Sequence, residues 1–393
     1  MQSNKLKVLF LPSWYPNRNY LSHGIFIKRH ALAISRVADV ITLYTCSDAT
    51  IKNGLFEIQE NNEGGLNEII IYYKKVNSSI PVFSSSLKFI RFIRAYFKGY
   101  SIVLAKYGKP NIIHLNVIFN AGIFAYLISK LKNIPLVITE QWSGYFPEDG
   151  NYKGVFIPFV TRLSVNRARA VIAVSENLRD AMLSHNLKSD YYVIPNVVNT
   201  SLFKPSLDKS TVNPIKNILH VSTVNDKEKN ISGMLRVVKN ISLLRNDFVL
   251  NIVGDGPERL LFEKQAEEMG IKNTIVFFKG YKDAKEVAKM MGEADFYVMF
   301  SNYETFSTVI VEALAAGTPV VSTAVGVMPS IKDKNVGIMV QPKNELELEA
   351  AILKMLDEYC NYNAKDLSKF ANNYFSEDKM GEQFLNIYHK VIG

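Results

Sequence analysis

Short apolar runs alternate with helical periodicity through the first half of the 393-residue chain. KVLFLP (7–12) reads as a buried strand, GIFIKRHALAISR (24–36) as a helix and VITLYT (40–45) as a strand. NIIHLN (111–116) and PLVITE (135–140) predict two more strands, with a helix from about Ile118 to Lys130 between them. AVIAVS (170–175) is followed by the helical ENLRDAMLSH, and YYVIP (191–195) closes the half. Wholly apolar strands separated by helices predict a mostly parallel sheet covered on both faces.

The pattern lapses over NVVNTSLFKPSLDKSTVNP (196–214), which carries Pro205 and Pro214 and reads as a linker. The alternation then restarts. NILHVS, FVLNIVG, TIVFFKG, DFYVMFS and TPVVST are strands, and helices fall at about Ile231–Leu244, PERLLFEKQAEEMG, DAKEVAKMMGEA and through EALAAG. Helices dominate from Asn344 to Gly393, and NNEGG (61–65) is the one Gly/Asn-rich tract. Two doubly wound α/β domains are the expected architecture, with ligands at the carboxyl ends of strands.

Composition supports two domains. A chain of this length exceeds the ~250–300 residues at which one core stops growing, and at 48% hydrophobic both domains can bury a core. Two cysteines, Cys46 and Cys360, exclude a disulfide framework and a cysteine-rich metal site. The apolar run after Lys5 and Lys7 is broken by Pro12 and Pro16 and makes no export signal. Ala313–Pro329 is punctuated by Gly317, Pro319 and Gly326 and is no membrane span. A cytoplasmic protein is expected.

Charge is unevenly placed. Residues 1–200 hold 23 Lys+Arg against 12 Asp+Glu, a net +11, while residues 201–393 hold 23 against 25, a net −2. An anionic partner of the first half is implied, and nucleic acid is not expected. Lys88, Arg91, Arg94 and Lys98 recur at helical spacing within residues 84–108, with Phe89, Phe92, Ile93, Tyr96 and Phe97 as the apolar body. Such a helix either rests on anionic lipid headgroups, peripheral on the inner face of the cell membrane, or packs on the core with a solvated basic face.

The sharpest feature is YETFSTVIVEALAAGTPVV (303–321). Glu304 and Glu312 are eight positions apart, read as the start and middle of one helix, which would span ~12 Å. Phe306, Ser307 and Thr308 place a helix N-terminus between them, where phosphate oxygens are favoured. The carboxylates can accept hydrogen bonds from neutral hydroxyls on either side.

Glu-x7-Glu followed by EALAAGTPVV resembles the signature of retaining glycosyltransferases of family 4. FLPSWYPN, HGIFIKRHALA, VIPNVVNTSLFKP, KNISGML, IVGDGPE and FKGYKDAKEVAKMMGEADFYVMFS extend the resemblance in order over nearly the whole chain. It implies the GT-B fold: two Rossmann-like domains facing a central cleft, with acceptor bound by residues 1–200, nucleotide sugar by 201–375, and a C-terminal helix (376–393) crossing back.

The resemblance also implies roles. Glu304 would meet the donor sugar near the reacting face and Glu312 the ribose hydroxyls. The amides of Phe306, Ser307 and Thr308 would meet sugar and diphosphate, Lys229 would pair with the diphosphate, and Gly24 would let backbone approach it. Gly280 and Tyr281 would lie near the base. Thr223 stands where an Arg is common, and Gln141 where a His commonly contacts the donor. Gln141 would orient without transferring a proton.

His114 is either a satisfied strand-end histidine or an acceptor residue in the cleft. Trp142 and Tyr145 either stack on an acceptor sugar or pack in the core. His23 and His30 read as surface or packing residues. Gly254-x-Gly256 lacks the third glycine of a dinucleotide fingerprint.

No cofactor is expected, and no metal: there is no Asp-x-Asp, and no two histidines are at ligand spacing. The implied reaction moves a sugar from a UDP- or GDP-sugar to a glycan or lipid-linked acceptor, with retention, in bacterial surface polysaccharide assembly. Retention runs through a covalent intermediate, for which Glu304 is the obvious carboxylate, or by the front-face route that the resemblance favours. The rivals are a nucleotide-sugar epimerase of the same fold and a non-catalytic two-lobed sugar-binding protein.

Overall fold

The computed structural model describes residues 5–76, 81–206 and 214–393. Part of the expected linker, 207–213, lies outside the described residues. The chain forms two compact units, Met1–Val197 with Glu377–Gly393, and Val198–Ser376.

The first unit is built on eight strands: β1 (Lys7–Pro12), β2 (Asp39–Asp48), β3 (Phe56–Glu63), β4 (Leu66–Lys74), β5 (Ile112–Asn116), β6 (Leu136–Glu140), β7 (Ala170–Ala173) and β8 (Tyr191–Val193). Their order is β3-β4-β2-β1-β5-β6-β7-β8. Every pairing is parallel except the β3–β4 hairpin. Val8–Leu11 are fully buried, as a strand covered on both faces requires.

The hairpin is the element that the periodicity reading missed. Its turn is Gly64–Gly65, both at positive φ, a conformation that suits a two-residue hairpin turn. The polar β3 is the exposed edge, which is why its pattern resembles a loop.

Two expectations are corrected here. The helix foreseen from Ile118 begins at Gly122, because Val117 and Asn120 take left-handed backbone (φ 62° and 68°) and turn the chain after β5. The basic helix runs Pro81–Tyr107, and its core side is made by Ala95, Tyr96, Gly99, Tyr100 and Val103. Phe89 and Phe97, assigned to the apolar body, are exposed. Arg91 donates to the Lys74 carbonyl at 2.7 Å.

The helix Glu377–Ile392 buries Met380, Phe384 and Tyr388 among Val8, Phe10 and Ile34. Gly381 permits this, since a Cβ there would stand 2.5 Å from the Ala33 carbonyl oxygen.

The second unit is a six-stranded parallel sheet of β9 (Lys216–Val221), β10 (Phe248–Val253), β11 (Val276–Gly280), β12 (Phe296–Met299), β13 (Val320–Thr323) and β14 (Gly337–Val340). The order β11-β10-β9-β12-β13-β14 reverses direction between β9 and β12, a topological switch point. Its core joins Ile218, Leu250, Phe296 and Val321 to the helix Ile231–Leu244. Asp283 and Glu286 form a capping box on the helix Ala284–Glu293.

Candidate functional site

In the second unit the chemistry gathers at the switch point. After β9, Asn225 caps the short helix Asp226–Lys229 by accepting from the Glu228 amide at 3.0 Å. Asn230, at φ 50°, then turns the chain into the next helix. Lys229 at the end of that turn meets Glu304 from the loop after β12, with Nζ 2.6 Å from Oε1.

Ser301 Oγ donates to the same oxygen at 2.9 Å, and the Asn302 amide donates to the Glu228 carbonyl at 2.7 Å, tying the two loops together. Burial pulls the Lys229 ammonium down, but the Glu304 carboxylate outweighs it and holds the pKa above the ordinary value.

The helix behind Glu304 is shorter than expected. It runs Thr308–Ala315, preceded by Ser307 in left-handed backbone (φ 69°). Glu304 therefore stands on a loop, and the two-turn helical spacing of the glutamates is corrected: only Glu312 is on the helix, where it is buried. Phe306 is buried and its carbonyl accepts from Val327 at 2.8 Å. Gly326 makes this approach possible, since a Cβ there would lie 2.5 Å from Ser307 Oγ. Neither Ser301 nor Gly326 was picked out by spacing, because each matters through contact with a distant loop.

Gly280 has φ 67° and its carbonyl accepts from Gly254 at 2.9 Å, while Tyr281 beside it is 70% exposed. The Gly254-x-Gly256 pair has a packing reason. A Cβ at either would overlap the backbone oxygen of Ser222 or Val224, so the turns after β9 and β10 press together only through glycine. His220 is buried between Val298 O and Ser222 Oγ, and burial pushes its pKa down to about 4, so it stays neutral.

In the first unit the strand ends collect around Glu140, which sequence reasoning passed over. Its fully buried carboxylate accepts from the amides of Gln141 (2.8 Å), Trp142 (3.0 Å) and Ile118 (3.1 Å), and from Tyr145 Oη (3.1 Å). Burial raises its pKa, against the lowering effect of those donors. The available signal was an acid closing an apolar strand, LVITE.

One acceptor candidate, His114, is corrected. Tyr145 is buried with its hydroxyl on Glu140, and His114 is buried with Nδ1 2.6 Å from Tyr388 Oη and Nε2 2.7 Å from Thr139 Oγ1. His114 belongs to the core, whereas the buried Tyr145 also lines a cavity of the first unit. Trp142 is partly exposed and stacks on Phe119 at 6.1 Å. Gln141 is 5% exposed and neither end of its amide has a partner among the described residues. Gly24 (φ 67°) is required by packing, since a Cβ would stand 2.5 Å from the Trp14 carbonyl oxygen.

Among the described residues, no group of three or more His, Cys, Asp or Glu could hold a metal, and no helix is long and apolar enough to cross a membrane.

Residues 205–374 match the family model described as glycosyl transferases group 1, and residues 56–202 match glycosyltransferase family 4. The fold is similar to that of sucrose-phosphate synthase from Thermosynechococcus elongatus, with TM-score 0.76 and 20% identity over 98% of both chains. It is also similar to Anabaena HepE in complex with UDP and glucose, with TM-score 0.71 and 17% identity over 98% of this chain and 100% of that one. The chain belongs to the family-4 glycosyltransferases and has the paired α/β units of their GT-B fold. Among curated relatives, the alpha-monoglucosyldiacylglycerol synthase of Streptococcus pneumoniae is 26% identical over 295 residues, 70% of this chain and 66% of that protein.

Proposed function

We propose that the protein is a retaining, metal-independent glycosyltransferase that moves a sugar from a UDP- or GDP-linked donor to a glycan or lipid-linked acceptor in bacterial surface polysaccharide assembly. The observation that carries the reading is the Lys229–Glu304 pair beside the Ser307–Thr308 turn, at the switch point of the second unit's sheet.

A donor diphosphate reaching Lys229 replaces Glu304 as its counter-ion and frees that carboxylate for the sugar hydroxyls. The C1–O bond to the diphosphate breaks, the acceptor oxygen bonds to C1 on the same face, and its proton passes to the departing phosphate. Charge developing on that phosphate is met by the ammonium and the helix-end amides, already in place before reaction. Glu312 holds the ribose.

The solved structure of a protein of like fold with UDP and glucose supports the donor class, and a relative named for a glucosyldiacylglycerol product supports a lipid acceptor. The basic helix of the first unit supports peripheral attachment to the inner face of the membrane.

Incubation with UDP-, GDP- and ADP-sugars, preceded by a thermal-shift screen, tests the proposal. Transfer with retained configuration, unchanged by EDTA, is expected. Epimerised donor, or binding without turnover, would replace this reading by an epimerase or a sugar-binding protein.

A further inference from the structure

A cavity of about 620 Å³ opens within the first unit, near the carboxyl ends of β2, β5 and β6. Tyr96, Ile118, Ile123, Trp142 and Val160 contribute an aromatic and aliphatic wall. The helix Pro81–Tyr107 supplies Lys88, Phe89 and Phe92 to it, and the helix Phe156–Arg167 supplies Phe156 and Ile157.

Phe89 and Phe156 line the cavity and are also 46% and 60% exposed, which places them at its mouth. Phe119, Val155 and Phe159 add exposed apolar surface on the adjoining segments. Single exposed apolar side chains are ordinary, but a cluster at the mouth of an apolar cavity marks a binding surface.

Charge on the helix that supplies Lys88 has one sign. The helix Pro81–Tyr107 contains Lys88, Arg91, Arg94, Lys98 and Lys106 and no acidic residue. Lys106 pairs with Glu60 and Arg91 with a backbone carbonyl. Lys88, on the cavity lining, is exposed and has no carboxylate partner among the described residues. The interior itself is hostile to charge: burial pushes both the Cys46 thiol and the Tyr73 phenol, on its wall, up to about 12.

We propose that this cavity seats the hydrocarbon chain of an anionic, lipid-linked acceptor, with Phe89 and Phe156 at the entrance and Lys88 against the lipid phosphate. The identification of that lipid as the acceptor rests on the transfer reading above. Ser13, Thr45, Ser47, Asn120 and Thr161 also reach the lining, but most of its surface is aromatic and aliphatic, which suits a hydrocarbon chain that makes no hydrogen-bond demand. The volume falls in the ordinary range for a ligand site.

The test uses the full chain and needs no donor. Only Trp14 and Trp142 are tryptophans, so Trp14→Phe leaves Trp142, on the cavity wall, as the single fluorescent reporter. Linear monoalkyl phosphates are titrated below their micelle concentrations. Each added methylene should tighten binding by up to about four-fold, until a plateau marks the filled cavity.

Val160→Phe and Ile123→Phe should bring the plateau to shorter chains. Phe89→Ser and Phe156→Ser, at exposed positions where folding is not at stake, should weaken long-chain binding. Lys88→Ala should weaken alkyl phosphates and spare alkanols of equal length.

Affinity independent of chain length, or a plateau unmoved by both filling variants, would overturn the proposal while leaving the transfer reading intact. Chain binding in a protein that glycosylates only soluble glycans would overturn the assignment of the chain to the acceptor.

Discussion

The two units offer opposite chemistries at the carboxyl ends of their sheets. In the second, a cation and a carboxylate meet at 2.6 Å, and Ser301 and the linked loops hold that geometry. In the first, a buried carboxylate is spent on backbone amides, a buried amide has no partner among the described residues, and a mainly apolar cavity opens beside them. Both sheets are parallel apart from the first unit's edge hairpin, so the sheet does not decide the chemistry. The loops after the strands do. A charged, preorganised site suits a nucleoside diphosphate, and a mainly apolar cavity suits an acceptor with a hydrocarbon part.

The sharpest way to break this contrast is to remove the charged pair. Glu304→Ala should lower kcat by ~10³-fold or more, and Lys229→Ala by ~10²–10³-fold. Combining them should cost little beyond the larger single effect, because the two act as one unit. Independent, multiplying losses in initial-rate kinetics would show that the pair seen here is incidental.

Gln141→Leu tests the other side. An unpartnered buried amide contributes nothing to the fold, so stability should hold or rise by about 1 kcal/mol in denaturant titration. Transfer should nevertheless fall by ~10–100-fold if the amide awaits substrate. A loss of stability with activity retained would make Gln141 structural.

A smaller change is expected from Glu312→Gln. The donor KM should rise by ~10-fold with kcat nearly kept, the signature of lost ground-state binding. A fall in kcat at unchanged KM would move Glu312 into the reacting centre.

The smallest effect concerns pH. Arg245 and Lys216 hold the Asp247 carboxyl below its ordinary range. A depressed folded pKa stabilises the protein above the unfolded value and loses that contribution as pH falls below about 4. The group is partly exposed, so Asp247→Asn should cost under about 1 kcal/mol at neutral pH and nothing at acid pH, read from melting curves.

Most strands were legible because a parallel strand covered on both faces must be apolar throughout. The expected KVLFLP and the helix Ile231–Leu244 coincide with the elements observed. The β3–β4 hairpin was not legible, since its outer strand faces water and carries almost no apolar signal. At the site, residues that act through their own local turn were readable. Those that act through a loop far along the chain were not: Ser301 on Glu304, Gly326 against Ser307, and Glu140 on the Ile118 amide.

The order of residues alone determined the alternation of strand and helix, the two α/β domains, the basic first half and the glutamate motif, because periodicity and charge are properties of neighbours along the chain. Only the tertiary structure decided that Lys229 holds Glu304, that His114 belongs to the core, and that a mainly apolar cavity lies beneath the basic helix. Each of those depends on distances between segments that register, turn conformation and packing set, and none of these is written in local spacing.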